Sequence, residues 1–121
     1  MQDMVNPMEN IIEEKSFSFA IRIVKLCNLL RKDKREYVLS KQLLRCGTSI
    51  GANVAEAQHA QTKADFVAKM NISLKETGET LFWLRLLNAT NYLSQREFAS
   101  IFSDCVELEK ILVSIINSAK G

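Results

Sequence analysis

The chain contains a single proline, Pro7, and only four glycines among its 121 residues. Because proline and glycine are the strongest breakers of regular structure, their scarcity leaves long uninterrupted segments. Along these segments apolar residues recur in steps of three and four, the spacing that places side chains on one face of an α-helix. The pattern predicts an all-α protein.

Four helical segments are predicted, at about residues 7–31, 38–59, 63–90 and 95–119. Three of them begin with capping signals, namely Asn6-Pro7, Thr62-x-x-Asp65 and Ser94-x-x-Glu97. The connections between the segments are short, so neighbouring helices are expected to run antiparallel. We therefore predict one domain over residues 1–121, folded as an antiparallel up-down-up-down four-helix bundle.

Residues 45–58, with the sequence RCGTSIGANVAEAQ, carry two unusual faces in the second helix. Gly47, Gly51 and Ala55 step by four and form a face of small residues. Glycine inside a helix costs roughly 1 kcal/mol relative to alanine, so two glycines on one face indicate that another backbone approaches there.

The other face of this segment is polar and consists of Arg45, Ser49, Asn53 and Glu56. We predict that it forms a partly buried network with the third helix, in which Arg45 contacts Glu76 or Glu79. A role in packing is favoured over a catalytic one, because no histidine is present to complete a di-metal site with these glutamates.

The third and fourth helices carry more apolar residues than one buried stripe along the helix, here called a seam, requires. The predicted seam of the third helix is Phe66, Met70, Leu74, Thr77, Leu81 and Leu84. Further apolar residues lie at least partly outside the seams, at Ile72, Phe82, Trp83, Leu86, Leu87, Phe102, Val106, Val113 and Ile116. They indicate either a generous core with some exposed apolar atoms or a subunit interface, and the interface is favoured.

Residues suited to catalysis or metal binding are scarce. The only histidine, His59, has no partner at a metal-ligand spacing, and no phosphate-binding or hydrolase motif occurs. Cys27, Cys46 and Cys105 fall among apolar neighbours, as small core residues of a reducing compartment do. No signal peptide or membrane span is visible. We expect a cytoplasmic protein that is not an enzyme and has no metal or cofactor.

Positive charge is concentrated in one part of the chain. Positions 15 to 45 hold nine lysines and arginines against two acids, whereas positions 97 to 109 hold four acids and no base. The candidate nucleic-acid-binding residues are Arg22, Lys25, Arg31, Lys32, Lys34, Arg35 and Lys41. Such clusters attract phosphate backbones without reading sequence. For a monomer a solvated surface is the favoured alternative, but several copies in a ring would bind multivalently.

Three segments carry a resemblance to a known family: EKSFSFAIRIVKL at 14–26, LSKQLLRCGTSIGANVAEAQHAQTKADFVAKM at 39–70 and ISLKETGETLFWLRLL at 72–87. Together with the RxGTSIGANxxEA core, they resemble the 23S ribosomal RNA intervening-sequence protein family. This family is related to the accessory variability determinant proteins of diversity-generating retroelements. The resemblance extends from about position 14 to position 118.

The resemblance implies a four-helix protomer that assembles into a homopentameric ring and binds nucleic acid through basic surfaces. The retroelement relatives also partner a reverse transcriptase. No catalytic residues come with the family. Gly78 stands where related sequences tend to carry alanine, which predicts a third helix that is locally weaker or unusually closely packed there.

Two hypotheses of function follow. The first is a homo-oligomeric bundle that binds RNA or DNA through its basic segment. The alternative is a protein-binding adaptor or scaffold, such as an accessory protein of a reverse transcriptase, with no direct role in nucleic-acid binding.

Overall fold

The computed structural model describes residues 7–121, which form four α-helices and, within this range, no strand. The helices are α1 (Pro7–Asp33), α2 (Leu39–Ala57), α3 (Lys63–Ala89) and α4 (Gln95–Lys120). The predicted all-α class is confirmed. The proposed cap at Asn6 lies outside the described residues.

The helices are arranged in a closed circle in which each packs on two others. α1 contacts α2 and α4, and α3 also contacts α2 and α4, while the diagonal pairs make no close backbone contact in residues 7–121. Consecutive helices are joined by short connections and pack on each other, so they run antiparallel. This arrangement confirms the up-down-up-down four-helix bundle. The contact between α1 and α4 is the least extensive of the four.

The core forms where the apolar stripes of the helices meet at the centre of the circle. Its largest fully buried side chains include Phe19, Ile23, Leu43, Ile50, Leu84 and Leu112. All of these except Leu84, which lies on α3, come from α1, α2 and α4.

The buried face of α3 differs from the predicted one. Its buried residues are Met70, Ser73, Thr77, Thr80, Leu84 and Leu87. Phe66, Leu74 and Leu81 were predicted in the seam, but they are only partly buried at its edge. Leu87, predicted outside the seam, is fully buried. Apolar residues surround the whole circumference of α3, so their spacing does not single out one face.

The buried hydroxyl groups of α3 all have hydrogen-bond partners. Thr77 Oγ1 donates to the Leu74 carbonyl at 2.6 Å, and Thr80 Oγ1 donates to a carbonyl of its own helix at 2.7 Å. Ser73 Oγ instead donates to the Ile50 carbonyl at 2.8 Å and so links α3 to α2. Small side chains at this level allow the two helices to approach closely.

The face of small residues on α2 lies against α1. A β-carbon at Gly51 would sit 3.2 Å from the carbonyl oxygen of Ser16, so the close backbone approach that was predicted for both glycines is present at Gly51. A β-carbon at Gly47 would sit 2.9 Å from side-chain atoms of Ile23. Gly78 has nothing within 4 Å of its β-position, so the idea that α3 packs unusually closely there is wrong.

Within the described part of the chain, no helix combines the length and apolar character that crossing a lipid bilayer requires.

Candidate nucleic-acid interface

A cluster of exposed cations, which we call the basic end, lies in and around the connection from α1 to α2. It consists of Arg31, Lys32, Lys34, Arg35 and Lys41. None of these side chains forms an ion pair with another residue in the range 7–121. Their charges are therefore available to an anionic partner.

Glu36, the acidic residue of this connection, has a structural role. The Glu36 carboxylate is buried and accepts hydrogen bonds from the backbone N–H groups of Leu39 at 2.9 Å and Ser40 at 2.7 Å. A third, longer bond comes from Val38 at 3.2 Å. In return, Ser40 Oγ donates to the Glu36 carbonyl at 2.8 Å. Glu36 thus caps α2, because the N-terminal N–H groups of a helix lack partners within it.

The basic end is shaped by a backbone turn at Arg35, whose φ of 54° lies in the left-handed region. This conformation is uncommon for residues other than glycine. The N–H groups of Lys34 and Glu36 both donate to the Leu30 carbonyl, at 3.2 and 3.0 Å. The bonds terminate α1 and fix the short connection that carries Lys34 and Arg35.

Two cations of α1 are matched by the acidic stretch of α4. Arg22 donates to Asp104 at 2.5 Å and to Ser100 at 3.1 Å. Lys15 pairs with Glu107 at 3.3 Å. The structure therefore separates Arg22 from the other candidate cations, since its charge is already balanced between helices.

Lys25, the remaining candidate, is exposed on α1 and lines a small cleft between α1 and α4. The cleft has an apolar floor that includes Leu26, Leu29 and Ile101. Lys25 lies along the helix from the basic end and makes no ion pair in the described chain.

The predicted polar face of α2 contacts α3 at one end through Arg45. The guanidinium donates a short hydrogen bond to Glu79 and lies 3.6 Å from Oε1 of Glu76. Trp83 Nε1 also donates to Glu79, at 3.0 Å. The hydrogen bond from the Trp83 indole has the largest effect in lowering the pKa of Glu79 below its usual value, and the hydrogen bond from the Arg45 guanidinium has the next largest. Oε1 of Glu76 is buried without a hydrogen-bond partner in residues 7–121.

The rest of this polar face bonds mainly within α2. Ser49 Oγ donates to the Arg45 carbonyl at 2.7 Å, and the Asn53 amide donates to the Ser49 carbonyl at 2.8 Å. Glu56 reaches α3 again through Lys69 at 3.1 Å. Where this polar face contacts α3, it does so through ion pairs at its two ends, Arg45 with Glu76 and Glu79 and Glu56 with Lys69.

The cysteines have the properties of core residues. Burial raises the pKa of the Cys27 thiol to about 12 and that of Cys46 to about 11. It raises the pKa of Cys105 as well. The thiols therefore stay protonated at neutral pH and are poor nucleophiles. His59 lies exposed in the turn after α2, and no cluster in residues 7–121 has the composition of a metal site.

A polar cavity of about 540 Å³ lies beside the basic end, at the turn between α3 and α4. It is lined by Lys34, Asn88, Asn91, Tyr92, Leu93, Ser94, Gln95 and Glu97. The motifs did not predict it, because it forms only when the two connections meet at one end of the bundle. The partial signal in the sequence was the run of amide and aromatic residues before the Ser94 capping box.

An apolar groove of about 490 Å³ lies between α1 and α2 on another side of the molecule. It is lined by Glu13, Phe17, Ala20, Thr48, Gly51, Ala52, Val54 and Ala55. The small residues of α2 form part of its floor, while 68% of the Phe17 surface is exposed beside it. These features make the groove a surface suited to protein contact.

The sequence profile of 23S rRNA-intervening sequence proteins matches residues 8–114, which is most of the chain. The chain belongs to this family. The resemblance seen in the sequence is thereby confirmed.

A solved relative shows the same fold. This chain superposes on the crystal structure of a protein of unknown function from the S23 ribosomal protein family of Bacteroides thetaiotaomicron, with a TM-score of 0.90. The two share 49% identity over 91% of this chain and 98% of the other. No curated protein matches the chain.

Proposed function

We propose that the protein is a non-enzymatic homo-oligomer that binds RNA or DNA through its basic end. The observation that carries this proposal is the set of exposed cations in and around the α1–α2 connection, none paired within residues 7–121. Glu36, the acid within this connection, is buried, and its carboxylate accepts hydrogen bonds from the backbone N–H groups at the start of α2. The other acid near these cations in the sequence is Asp33, the last residue of α1.

The mode of contact is mainly electrostatic. Lysine and arginine side chains bind phosphates of any sequence and release counterions, so the affinity falls steeply with salt. Tyr37 is the aromatic residue of the connection, with 59% of its surface exposed, and one ring does not form a stacking platform. RNA is the first nucleic acid to test, because the name of the matched family refers to an intervening sequence of 23S rRNA.

Assembly into a homo-oligomer is supported by apolar surface on separate sides of the bundle. The groove between α1 and α2 is one side, and Ile72 and Phe82 on α3, exposed by 42% and 53%, mark another. A contact between two different surfaces closes into a ring when the rotation permits it. The family resemblance favours five copies, which would repeat the basic end around the ring.

A second candidate function is a protein-binding adaptor, for example one that docks a reverse transcriptase. The observation that favours it is the same apolar groove, if its occupant is a different protein. In that case the basic end plays no part in binding.

The test measures binding of a labelled, structured RNA as salt is raised, for the wild type and for a variant with Lys32, Lys34 and Arg35 changed to Glu. Loss of three phosphate contacts should reduce the slope of log K against log salt by about 2 to 3. The matched control changes Lys63, Lys110 and Lys120 to Glu, which alters the net charge equally with exposed residues away from the basic end.

The proposal requires the control variant to bind as the wild type does, apart from a small general loss. If the wild type shows no affinity at low salt, or if the basic-end variant binds unchanged, the nucleic-acid function is wrong and the adaptor is favoured. Circular dichroism of each variant establishes that the helices are intact.

A further inference from the structure

The polar cavity at the α3–α4 turn has the dimensions of a small-molecule site. Its volume of about 540 Å³ lies within the roughly 300–1,000 Å³ typical of such sites. The turn that builds it is fixed by backbone hydrogen bonds, from Tyr92 N–H to the Leu87 carbonyl at 2.9 Å and from Asn91 N–H to the Asn88 carbonyl at 3.2 Å. The cavity is therefore a formed feature of the fold.

Three carboxamide side chains line this cavity, those of Asn88, Asn91 and Gln95. None of them makes a side-chain hydrogen bond with another residue in the described chain. Each carboxamide offers an N–H donor next to a carbonyl acceptor. This pair of groups matches the edge of a nucleobase, as in the bidentate contact of Asn or Gln with adenine.

The cavity is lined by one basic and one acidic side chain. Lys34 belongs to the basic end and also lines the cavity, while Glu97 lines it from the start of α4. No ion pair joins the two in residues 7–121. One oxygen of Glu97 accepts the Ser94 N–H at 3.0 Å in the capping box, so the carboxylate is held in place. A phosphate is favoured at Lys34, and an amino group of a base at Glu97.

We propose that this cavity binds one unpaired nucleotide of the nucleic acid whose backbone lies on the basic end. The proposal rests on the function proposed above and names the class of substrate, a single-stranded loop or bulge. Specific recognition of RNA commonly uses such splayed bases, because their edges are free of base pairing. Tyr92 lines the cavity and is partly buried against the core, so its exposed part adds an aromatic surface for the base.

The test compares two RNAs of equal length and charge at one salt concentration, a hairpin with a single-stranded loop and a fully paired duplex. The variant changes Asn88 to Ala and Asn91 to Gly. Asn91 has a φ of 68°, a conformation that glycine adopts without strain, so the turn is retained while the carboxamide is removed. The control changes the exposed Asn71 and Asn117 to Ala, both outside the cavity.

We expect the wild type and the control to prefer the hairpin by on the order of tenfold, and the cavity variant to bind both RNAs alike. Its affinity for the duplex should not change. Equal, salt-dependent binding of both RNAs by the wild type would overturn this inference and leave the proposed function intact. Retention of the preference by the cavity variant would also overturn it. No binding of either RNA would overturn both.

Discussion

At the scale of single residues, the three glycines inside helices differ in their effect on stability. Gly47 and Gly51 lie where α1 approaches α2, so close packing of the two helices offsets the low helix propensity of glycine. Gly78 is exposed, with open space around its β-position, so no close packing offsets its low helix propensity. The same residue type therefore stabilises the fold at one place and weakens it at another.

Replacing Gly78 with Ala should raise the free energy of unfolding by about 0.5–1 kcal/mol, because it removes the entropy cost of glycine in a helix. Replacing Gly47 with Ala should lower it by about 1–3 kcal/mol, because the new methyl group would overlap Ile23. Urea unfolding followed by circular dichroism measures both. A loss of stability at Gly78 would show that its surroundings are not open.

At the scale of elements, the ends of the helices are set by specific hydrogen bonds. Ser94 and Glu97 form the complete capping box that their spacing predicts, with bonds of 3.1 and 3.0 Å. At α3, Thr62 accepts the Asp65 N–H at 3.0 Å, which is one half of such a box. The start of α2 uses Glu36 instead.

Changing Glu36 to Ala should destabilise the protein by about 1–2 kcal/mol, since the backbone N–H groups at the start of α2 lose their acceptor. A change to Gln keeps one acceptor oxygen, so its effect should be intermediate. The control is Asp33→Ala, an exposed acid nearby in the same part of the chain. Chemical denaturation reports the differences, and equal stability of the Glu36 and Asp33 variants would contradict the capping role.

The sequence predicted the bounds of the helices better than it predicted which face of a helix is buried. α1 ends at Asp33 where residue 31 was expected, and α2 ends at Ala57 where residue 59 was expected. Each observed end lies two residues from the predicted one. The cap by Glu36 was missed because glutamate is not among the usual N-cap residues. The buried face of α3 was misplaced because apolar residues lie all around that helix.

At the scale of the whole molecule, charged and apolar surfaces are separated. The basic end lies at one end of the bundle, whereas the apolar groove runs between α1 and α2. The candidate cations were predicted from charge alone, and the structure separates Arg22 from the others because it pairs with Asp104. The polar cavity was not predicted, because it depends on two connections that are distant in the sequence.

Phe17→Asp tests the assembly. The wild type should have a solution mass that is a multiple of its 13.7 kDa chain, and the variant should fall to the mass of one chain, because a charge in the groove opposes apolar contact. Light scattering coupled to gel filtration measures this mass. Tyr37→Asp, at a residue exposed to a similar extent but outside the groove, is the control and should keep the wild-type mass. A wild type that is itself monomeric would refute the homo-oligomer.

The circle of helices has a consequence for how the chain reaches its structure. Three of the four packed pairs join consecutive helices, and only α1 with α4 connects the two ends of the sequence. Contacts between neighbours in sequence cost little loop entropy, and proteins dominated by them fold in microseconds to milliseconds. The seam between α1 and α4, which is also the least extensive contact, should form late and exchange its amide hydrogens through local opening before the rest of the bundle does.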